Sequence, residues 1–346
     1  MRLRRSDPNT AGYTRRRHGR GFGYRDQTGA VLTDPQELER IRGLAIPPAW
    51  RNVWISPHPR GHIQAIGVDA AGRRQYRYHD EWRVQRDAAK FDHVLEVGER
   101  LPAIREVVDE QLAERGLTRN RVLAAAVRLL DVGCFRIGGE EYAAGTDATF
   151  GLATIRRDHV SLVPGAVRFC YPAKGGIERA LEVPDEAVRT VVRGLLARRS
   201  DAPELLAYRA GTGWCDVRST DINGYLREVG GIDISAKDFR TWNATVLAAI
   251  MLAAHTRDVA AQRRRPSPTA RQRTVAAVMR DVAEYLGNTP AVARASYVDP
   301  RVVDLFADGV TIPAAPRLAD GSRPVDTATR QALERDVLDL LRTDGS

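Results

Sequence analysis

The spacing of apolar residues changes partway along this chain, near Trp82, and this change limits the folds that the chain can adopt. Before it, runs such as 52–55 and 62–66 cluster or alternate apolar side chains, which is typical of short strands. After it, residues 95–112 and 118–132 repeat apolar side chains at the three- and four-residue spacing of amphipathic helices. We therefore predict an α+β fold, with a small β-rich N-terminal domain and a mainly α-helical C-terminal domain.

The predicted boundary gives domains of 1–90 and 91–346. Inside the second domain, residues 150–185 are expected to form a small three-stranded β-sheet or hairpin, because strand-like runs are separated there by Pro-Gly and Gly-Gly turns. The strand-like runs are 151–155, 160–163, 166–169 and 179–183. Helices are predicted at 185–199, 219–229, 236–254, 268–286, 290–297 and 326–342.

Several classes of protein are disfavoured by what the sequence lacks. No apolar run approaches the roughly 18–20 residues that cross a bilayer, and the basic N-terminus has no apolar signal region. The three cysteines and seven histidines show no disulfide framework or metal-ligand spacing, and no Gly-rich phosphate loop is present. We therefore expect a soluble, cytoplasmic protein without metal, nucleotide or other cofactor.

The chain is basic, with 53 Lys and Arg residues against 44 Asp and Glu, which gives a net charge of +9. The surplus lies in residues 1–30 and 256–280, each of which has a net charge of +6. Localised positive charge of this kind favours a polyanionic partner such as nucleic acid. The alternative for each segment is a solvated or disordered surface.

Lysine is scarce among the basic residues, because 50 of the 53 are arginine and the others are Lys90, Lys174 and Lys237. A lysine amine can give up a proton in a protein, whereas an arginine guanidinium effectively cannot. Lys174 precedes two glycines at a predicted hairpin turn, where the backbone can approach a ligand closely. This placement favours a proton-transfer role for Lys174. Three lysines could also remain in the sequence by chance, and we favour this second interpretation for Lys90.

Two further segments place arginine where it could bind phosphate. Arg136 follows a strongly apolar helix and precedes a Gly-Gly break, which suits bidentate binding of phosphate, although an arginine at a helix C-terminus also simply favours the helix dipole. Lys237 and Arg240 share one face in the first turn of a helix, where positive charge opposes the dipole unless an anion is bound nearby.

A short helix near residue 290 links an amide to a tyrosine: Asn288 precedes it and Tyr297 ends it. By itself, a tyrosine there is most simply a packing residue with its hydroxyl at the surface. In order along the chain, however, these segments resemble the type IB DNA topoisomerases, particularly the short bacterial and poxvirus-like members. The resemblance covers roughly residues 12–310 and rests on GRRQYRYHDEW, FRIGGEEY, GTDATFGLATI, PAKGG, KDFRTW and YLGNTPAVARASY.

The resemblance implies a role for each of these residues. Tyr297 would be the nucleophile that forms a 3′-phosphotyrosyl bond with DNA, and Arg136 and Arg240 would bind the nonbridging phosphate oxygens. Lys174 would be the general acid for the 5′ oxygen. Asn288 stands where the family usually has His, so it could donate a neutral hydrogen bond but could not carry charge or transfer a proton.

Further expectations follow from the same resemblance. The partner would be double-stranded DNA, contacted by Tyr76, Tyr78, Tyr142 and Lys237. The protein would be a monomeric bacterial enzyme associated with the nucleoid, and it would relax supercoils without ATP or metal. Two domains that enclose a duplex must open to load it, so we expect a flexible boundary near residues 81–86.

Two alternatives remain at this point. A tyrosine recombinase shares the helical core and the phosphotyrosine chemistry, but typically has His three residues before the second arginine, where this chain has Lys237. A non-enzymatic DNA-binding protein would explain the basic charge but not the tyrosine or the hairpin lysine.

Overall fold

The computed structural model describes residues 2–261, 267–313 and 326–342. The chain divides into two compact units, Met1–Asp92 and His93–Ser346. The division falls inside a long helix, α2 (Asp80–Leu112), and residues 81–86, where we expected a flexible boundary, are helical. The mixed α+β class that was predicted from the sequence is confirmed.

The first unit is built on a five-stranded antiparallel sheet. Its strands are β1 (Tyr13–His18), β2 (Gly21–Arg25), β3 (Arg51–Ile55), β4 (Ile63–Val68) and β5 (Arg74–Tyr78), in the spatial order β2-β1-β3-β4-β5. Helix α1 (Pro35–Gly43) begins at Asp34, whose side chain accepts a hydrogen bond from Gln36 N. Its Ile41 packs with Val53 and Ile55 to form a small core. Strands β4 and β5 pair antiparallel as a hairpin.

The second unit is mainly helical and holds two small sheets. Its helices after α2 are α3 (Arg119–Gly133), α4 (Glu186–Ala197), α5 (Ser219–Gly230), α6 (Ala236–Ala261), α7 (Pro268–Leu286), α8 (Pro290–Ser296), α9 (Pro300–Asp308) and α10 (Thr327–Arg342). Its strands are β6 (Val160–Val163), β7 (Ala166–Pro172), β8 (Glu178–Val183), β9 (Ala207–Ala210) and β10 (Gly213–Asp216). The first three form an antiparallel sheet in sequence order, and the last two form a hairpin.

Helix α3 is the central element of this unit. Thr118 caps it by accepting a hydrogen bond from Arg121 N, and every residue from Val122 to Val127 is buried. Because the helix is apolar on nearly all sides, it must be surrounded, and α4, α5, α6, β8 and β9 pack against it. Its C-terminal end is therefore held in a crowded environment, which fixes the segment that follows.

One local prediction is wrong, and two elements of the structure were not predicted. Residues 151–155 were expected as a strand but contain a 3₁₀ turn (Leu152–Thr154), because Leu152 N and Ala153 N donate to Arg136 O and Ile137 O at 2.8 and 2.7 Å instead of to a neighbouring strand. The β9–β10 hairpin and helix α9 were not predicted. Of the basic segment 256–280, residues 262–266 lie outside the described part of the chain.

No helix in the described ranges is both long enough and apolar enough to cross a membrane.

A buried network of charged side chains connects α2, α3 and α10. Arg105 of α2 donates to Asp131 at 2.9 and 3.0 Å and to Glu334 of α10 at 2.6 and 2.8 Å. Arg330 of α10 also bonds both carboxylates, and Asn243 of α6 donates to Asp131 O at 3.0 Å. Burial raises the pKa of Asp131, but Arg330 and Arg105 outweigh it and hold that pKa well below its ordinary value. Two positive and two negative groups thus compensate one another inside the core.

The network predicts a specific loss of stability when one cation is removed. In Arg330→Met, the two carboxylates retain only one guanidinium, so we expect the free energy of unfolding to fall by about 3 kcal/mol. Urea denaturation monitored by circular dichroism measures this difference. Arg335→Met, on the exposed side of the same helix, should change it by less than about 0.5 kcal/mol. Equal losses in the two variants would contradict this account.

Candidate active site

Arg136 is fixed by a tight turn at the end of α3. Cys134 ends the helix in the left-handed region (φ 48°), and the next residue, Phe135, is fully buried. Gly151 packs so closely against this loop that a Cβ there would lie 2.4 Å from Gly138 N. Since the main chain of Arg136 is also bonded to the 3₁₀ turn, its guanidinium projects from a rigid support.

Arg240 lies in the first turns of α6 and is only 3% exposed. Its Nη1 donates to Cys134 O, and its Nη2 donates to Leu286 O at 2.8 Å. Its guanidinium carbon is 5.2 Å from the centroid of the Tyr297 ring. The second predicted arginine therefore joins the ends of α3 and α7 and contacts the predicted nucleophile.

Asn288 follows the C-terminus of α7, which ends at Gly287 in the left-handed region (φ 62°). Arg136 Nη2 donates to Gly287 O at 3.1 Å and to Asn288 Oδ1. The buried Asn288 Nδ2 has no hydrogen-bond partner among the described residues. Because Arg136 needs an acceptor, the amide is oriented with its oxygen toward the guanidinium, and its N–H groups have no acceptor among the described residues.

Tyr297 lies just beyond the last residue of α8. Pro290 occupies the first turn of this predicted helix and Thr289 caps it. The Tyr297 N–H donates to Ala293 O at 3.0 Å, and the side chain is partly buried. The side chain is therefore packed against the protein but still partly accessible from outside it.

The charges around Tyr297 alter its acidity. Burial raises the pKa of the phenol, but the positive charges of Arg240, Arg136 and Lys237 outweigh burial, and the pKa lies below its ordinary value of 10.0. Burial and then the charge of Arg240 lower the pKa of the Arg136 guanidinium. The site thus favours negative charge on the tyrosine oxygen or on a bound ligand.

Lys174 lies at the exposed turn between β7 and β8. The turn is closed by Ala173 N donating to Ile177 O at 2.8 Å, and Gly175 and Gly176 adopt φ values of 85° and 72°. Lys174 lines a cleft of about 610 Å³ together with Arg136 and Asn288. The hairpin lysine therefore faces the same space as two of the other predicted site residues.

Arg179 of β8 belongs to this site but was not predicted. It donates to Leu286 O at 3.0 Å and to Gly133 O at 2.9 Å, so it joins the same two helix ends as Arg240. It also lines the cleft. Nothing in the sequence distinguishes it from the other 49 arginines, because its partners lie about 50 and 100 residues away along the chain.

The other predicted contact residues are not part of this cluster. Lys237 is exposed on α6 and acts on Tyr297 only through its charge. Tyr142 ends a separate 3₁₀ turn and is 55% exposed. Tyr76 and Tyr78 belong to the first unit, where their exposed rings stack with centroids 5.9 Å apart.

Within the described ranges, no group of three or more His, Cys, Asp and Glu side chains is arranged to hold a metal ion. The groups that are present are hydrogen-bond donors and positive charges beside an acidified phenol. This combination can bind a phosphate oxygen and support attack by the tyrosine oxygen on phosphorus.

Comparison with known proteins shows the family of the chain. Residues 79–304 match the family described as eukaryotic DNA topoisomerase I, catalytic core, and residues 21–69 match bacterial DNA topoisomerase IB, N-terminal domain. DNA topoisomerase 1B of Acanthamoeba polyphaga mimivirus is 27% identical over 288 residues, which cover 82% of this chain and 83% of that protein. DNA topoisomerase 1 beta of Arabidopsis thaliana is 25% identical over 176 residues, which cover 50% of this chain and 18% of that protein. The match to the catalytic core, residues 79–304, covers well over half of this chain. The chain therefore belongs to the type IB DNA topoisomerases, a family of isomerases.

Proposed function

We propose that this protein relaxes supercoiled double-stranded DNA by cutting one strand transiently, through a 3′-phosphotyrosyl intermediate at Tyr297, and without ATP or metal. The observation that carries the proposal is the position of the Tyr297 phenol beside Arg240 and Arg136, whose charges lower its pKa against the effect of burial. A phenol with a lowered pKa is a better nucleophile at neutral pH, and guanidinium groups are suited to a phosphate.

The cleavage step uses each group differently. The Tyr297 oxygen attacks phosphorus and loses its proton to solvent, while the bond between phosphorus and the 5′ oxygen breaks. Arg136 and Arg240 donate to the nonbridging oxygens, where negative charge accumulates in the transition state. Because both guanidinium groups are already held by hydrogen bonds, little reorganisation is needed when that charge appears.

Lys174 supplies the proton that the leaving group needs. A deoxyribose 5′ alkoxide is a poor leaving group, so protonation of that oxygen by the lysine amine lowers the barrier. The glycine turn leaves the amine exposed, which suits contact with a strand that lies across the cleft. An arginine in this position would supply charge but no transferable proton.

Religation reverses these steps. The free 5′ end rotates about the intact strand, which releases torsion, and its hydroxyl then attacks the phosphotyrosine and displaces Tyr297. The phosphotyrosyl bond retains the energy of the original phosphodiester, so the cycle needs no nucleotide.

Asn288 takes part as a neutral donor. Arg136 holds the amide oxygen, so the Nδ2 group without a partner in the described chain is available for a phosphate oxygen. It can replace the hydrogen bond of the family's usual His but not a positive charge. The enzyme is therefore active with one cation fewer around the phosphate.

The remaining contacts hold the DNA. We assign clamping to the N-terminal domain (residues 1–90) and catalysis to residues 91–346, with the enzyme acting as a monomer. The stacked rings of Tyr76 and Tyr78 offer a flat exposed surface, and Tyr142 and Lys237 are exposed on the second unit. These residues are suited to contact with the sugar-phosphate backbone.

The nucleophile can be tested directly. The native protein is expected to relax supercoiled plasmid in EDTA without ATP, and Tyr297→Phe is expected to abolish both relaxation and the covalent protein–DNA complex seen on denaturing gels. Tyr208→Phe, which removes a hydroxyl from β9 outside the site, should retain relaxation. Activity that requires Mg²⁺ or ATP, or that survives in Tyr297→Phe, would sink the proposal.

Lys174→Ala tests the general acid. Single-turnover cleavage should slow by on the order of 10²–10⁴-fold, and a substrate with sulfur in place of the 5′ bridging oxygen should recover most of the rate, because a thiolate leaves without a proton. Lys90→Ala, at the lysine to which no role is assigned, is the matched control. If the sulfur substrate is slowed as much as the oxygen substrate, Lys174 is not the acid.

The charges around Tyr297 predict a pH effect. Cleavage should accelerate as pH rises through the pKa of Tyr297, and Lys237→Gln should move this rise to higher pH, since one charge that lowers the pKa is lost. Single-turnover rates at saturating enzyme measure the shift without interference from weaker DNA binding. Arg227→Gln, an exposed charge on α5, should leave the profile in place, and an unshifted profile in Lys237→Gln would contradict the argument.

A further inference from the structure

We propose that Thr245 is a positioning residue, which fixes the backbone of Tyr297 so that the phenol oxygen stays in line for attack. This inference rests on the proposed function of Tyr297 as the nucleophile. Thr245 lies on α6 and is only 1% exposed, and it belongs to none of the groups to which a role in the reaction is assigned above.

The hydroxyl of Thr245 bonds the chain on both sides of Val298. Thr245 Oγ1 donates to Tyr297 O at 3.3 Å and accepts from Asp299 N at 3.1 Å. Val298 and Asp299 are themselves 1% and 2% exposed. The hydroxyl thus bridges the main chain immediately after the nucleophile, in the connection 297–299 between α8 and α9.

Thr245 differs in its hydrogen bonding from three other helical threonines. The hydroxyl groups of Thr241, Thr256 and Thr274 each donate to the carbonyl four residues earlier in their own helix, as buried helical threonines commonly do. Thr245 donates instead to the carbonyl of Tyr297, 52 residues further along the chain.

The support matters because Tyr297 has few other restraints. Its N–H and that of Val298 both bond Ala293 O, near the end of a helix of only seven residues. In-line attack depends on geometry to within about an ångström, and errors of that size slow reactions by up to about 100-fold. Helix α6 supplies both the Thr245 hydroxyl and the Arg240 guanidinium, so one rigid element positions the nucleophile and the charge that acts on it.

Thr245→Val, which has nearly the same shape but no hydroxyl, tests the role. We expect the rate constants for cleavage and for religation to fall together by about tenfold or more, because the tyrosine oxygen is the attacking group in one step and the leaving group in the other. DNA affinity and the pH profile of cleavage should not change, since every charge remains. Thr245→Ser keeps the hydroxyl and should restore both rate constants.

Thr241→Val is the matched control. It has the same exposure, lies one turn away on the same helix and loses only a bond within that helix, so its rate constants should stay within about twofold of the native values. Equal slowing in Thr241→Val and Thr245→Val, or no slowing in a folded Thr245→Val protein, would overturn the inference.

A second pair of variants covers failure of Thr245→Val to fold. Thr245→Cys retains only a weak donor, so it should cleave several-fold more slowly than Thr245→Ser, and equal rates would again overturn the inference.

Tyr297→Phe separates this inference from the proposed function. Loss of the covalent complex in that variant supports the nucleophile whatever the Thr245 variants show, and its persistence removes the proposed function itself.

Discussion

The site depends on arginines that are held in place without being neutralised. Arg240 and Arg179 donate to main-chain carbonyls at the ends of α3 and α7, and Arg136 donates to a carbonyl and an amide. These acceptors satisfy the N–H groups but carry no full negative charge, so the positive field remains available to a ligand and to Tyr297. Arg105 and Arg330, in contrast, bond carboxylates and are internally balanced. The same side chain therefore serves binding in one place and stability in the other.

The parts of the fold that were predictable are those determined by local sequence. Periodic apolar residues identified α3 and the part of α2 from residue 95, and helices were also predicted where α6, α7 and α8 lie. The β-hairpin that carries Lys174 was signalled by its two glycines. The order of the motifs then indicated the family, which the comparisons confirm, while the roles of Arg136, Tyr297 and the other site residues stay predictions.

What could not be predicted depends on contacts between distant segments. Residues 151–155 have the composition of a strand, but their N–H groups bond the loop of Arg136, which only the folded chain brings near. Arg179 is one arginine among 50, and its bond to Leu286 O joins residues that are 107 positions apart in the sequence. Thr245 gave no signal, because its partners lie more than 50 residues further along. In each case the important hydrogen bond joins groups that lie too far apart in the sequence for local patterns to reveal it.

Helix α10 shows that the end of the family match and the end of the folded core lie at different positions in the chain. The match to the catalytic core family ends at residue 304, yet α10 lies beyond it and supplies Arg330 and Glu334 to the balance around Asp131. Its Leu333, Val337 and Leu341 are also buried in the main core. A fragment that stopped at the family boundary would expose apolar surface on α6 and lose half of the buried ion network. A fragment of this chain that keeps this core covered therefore has to extend past residue 304 and include α10.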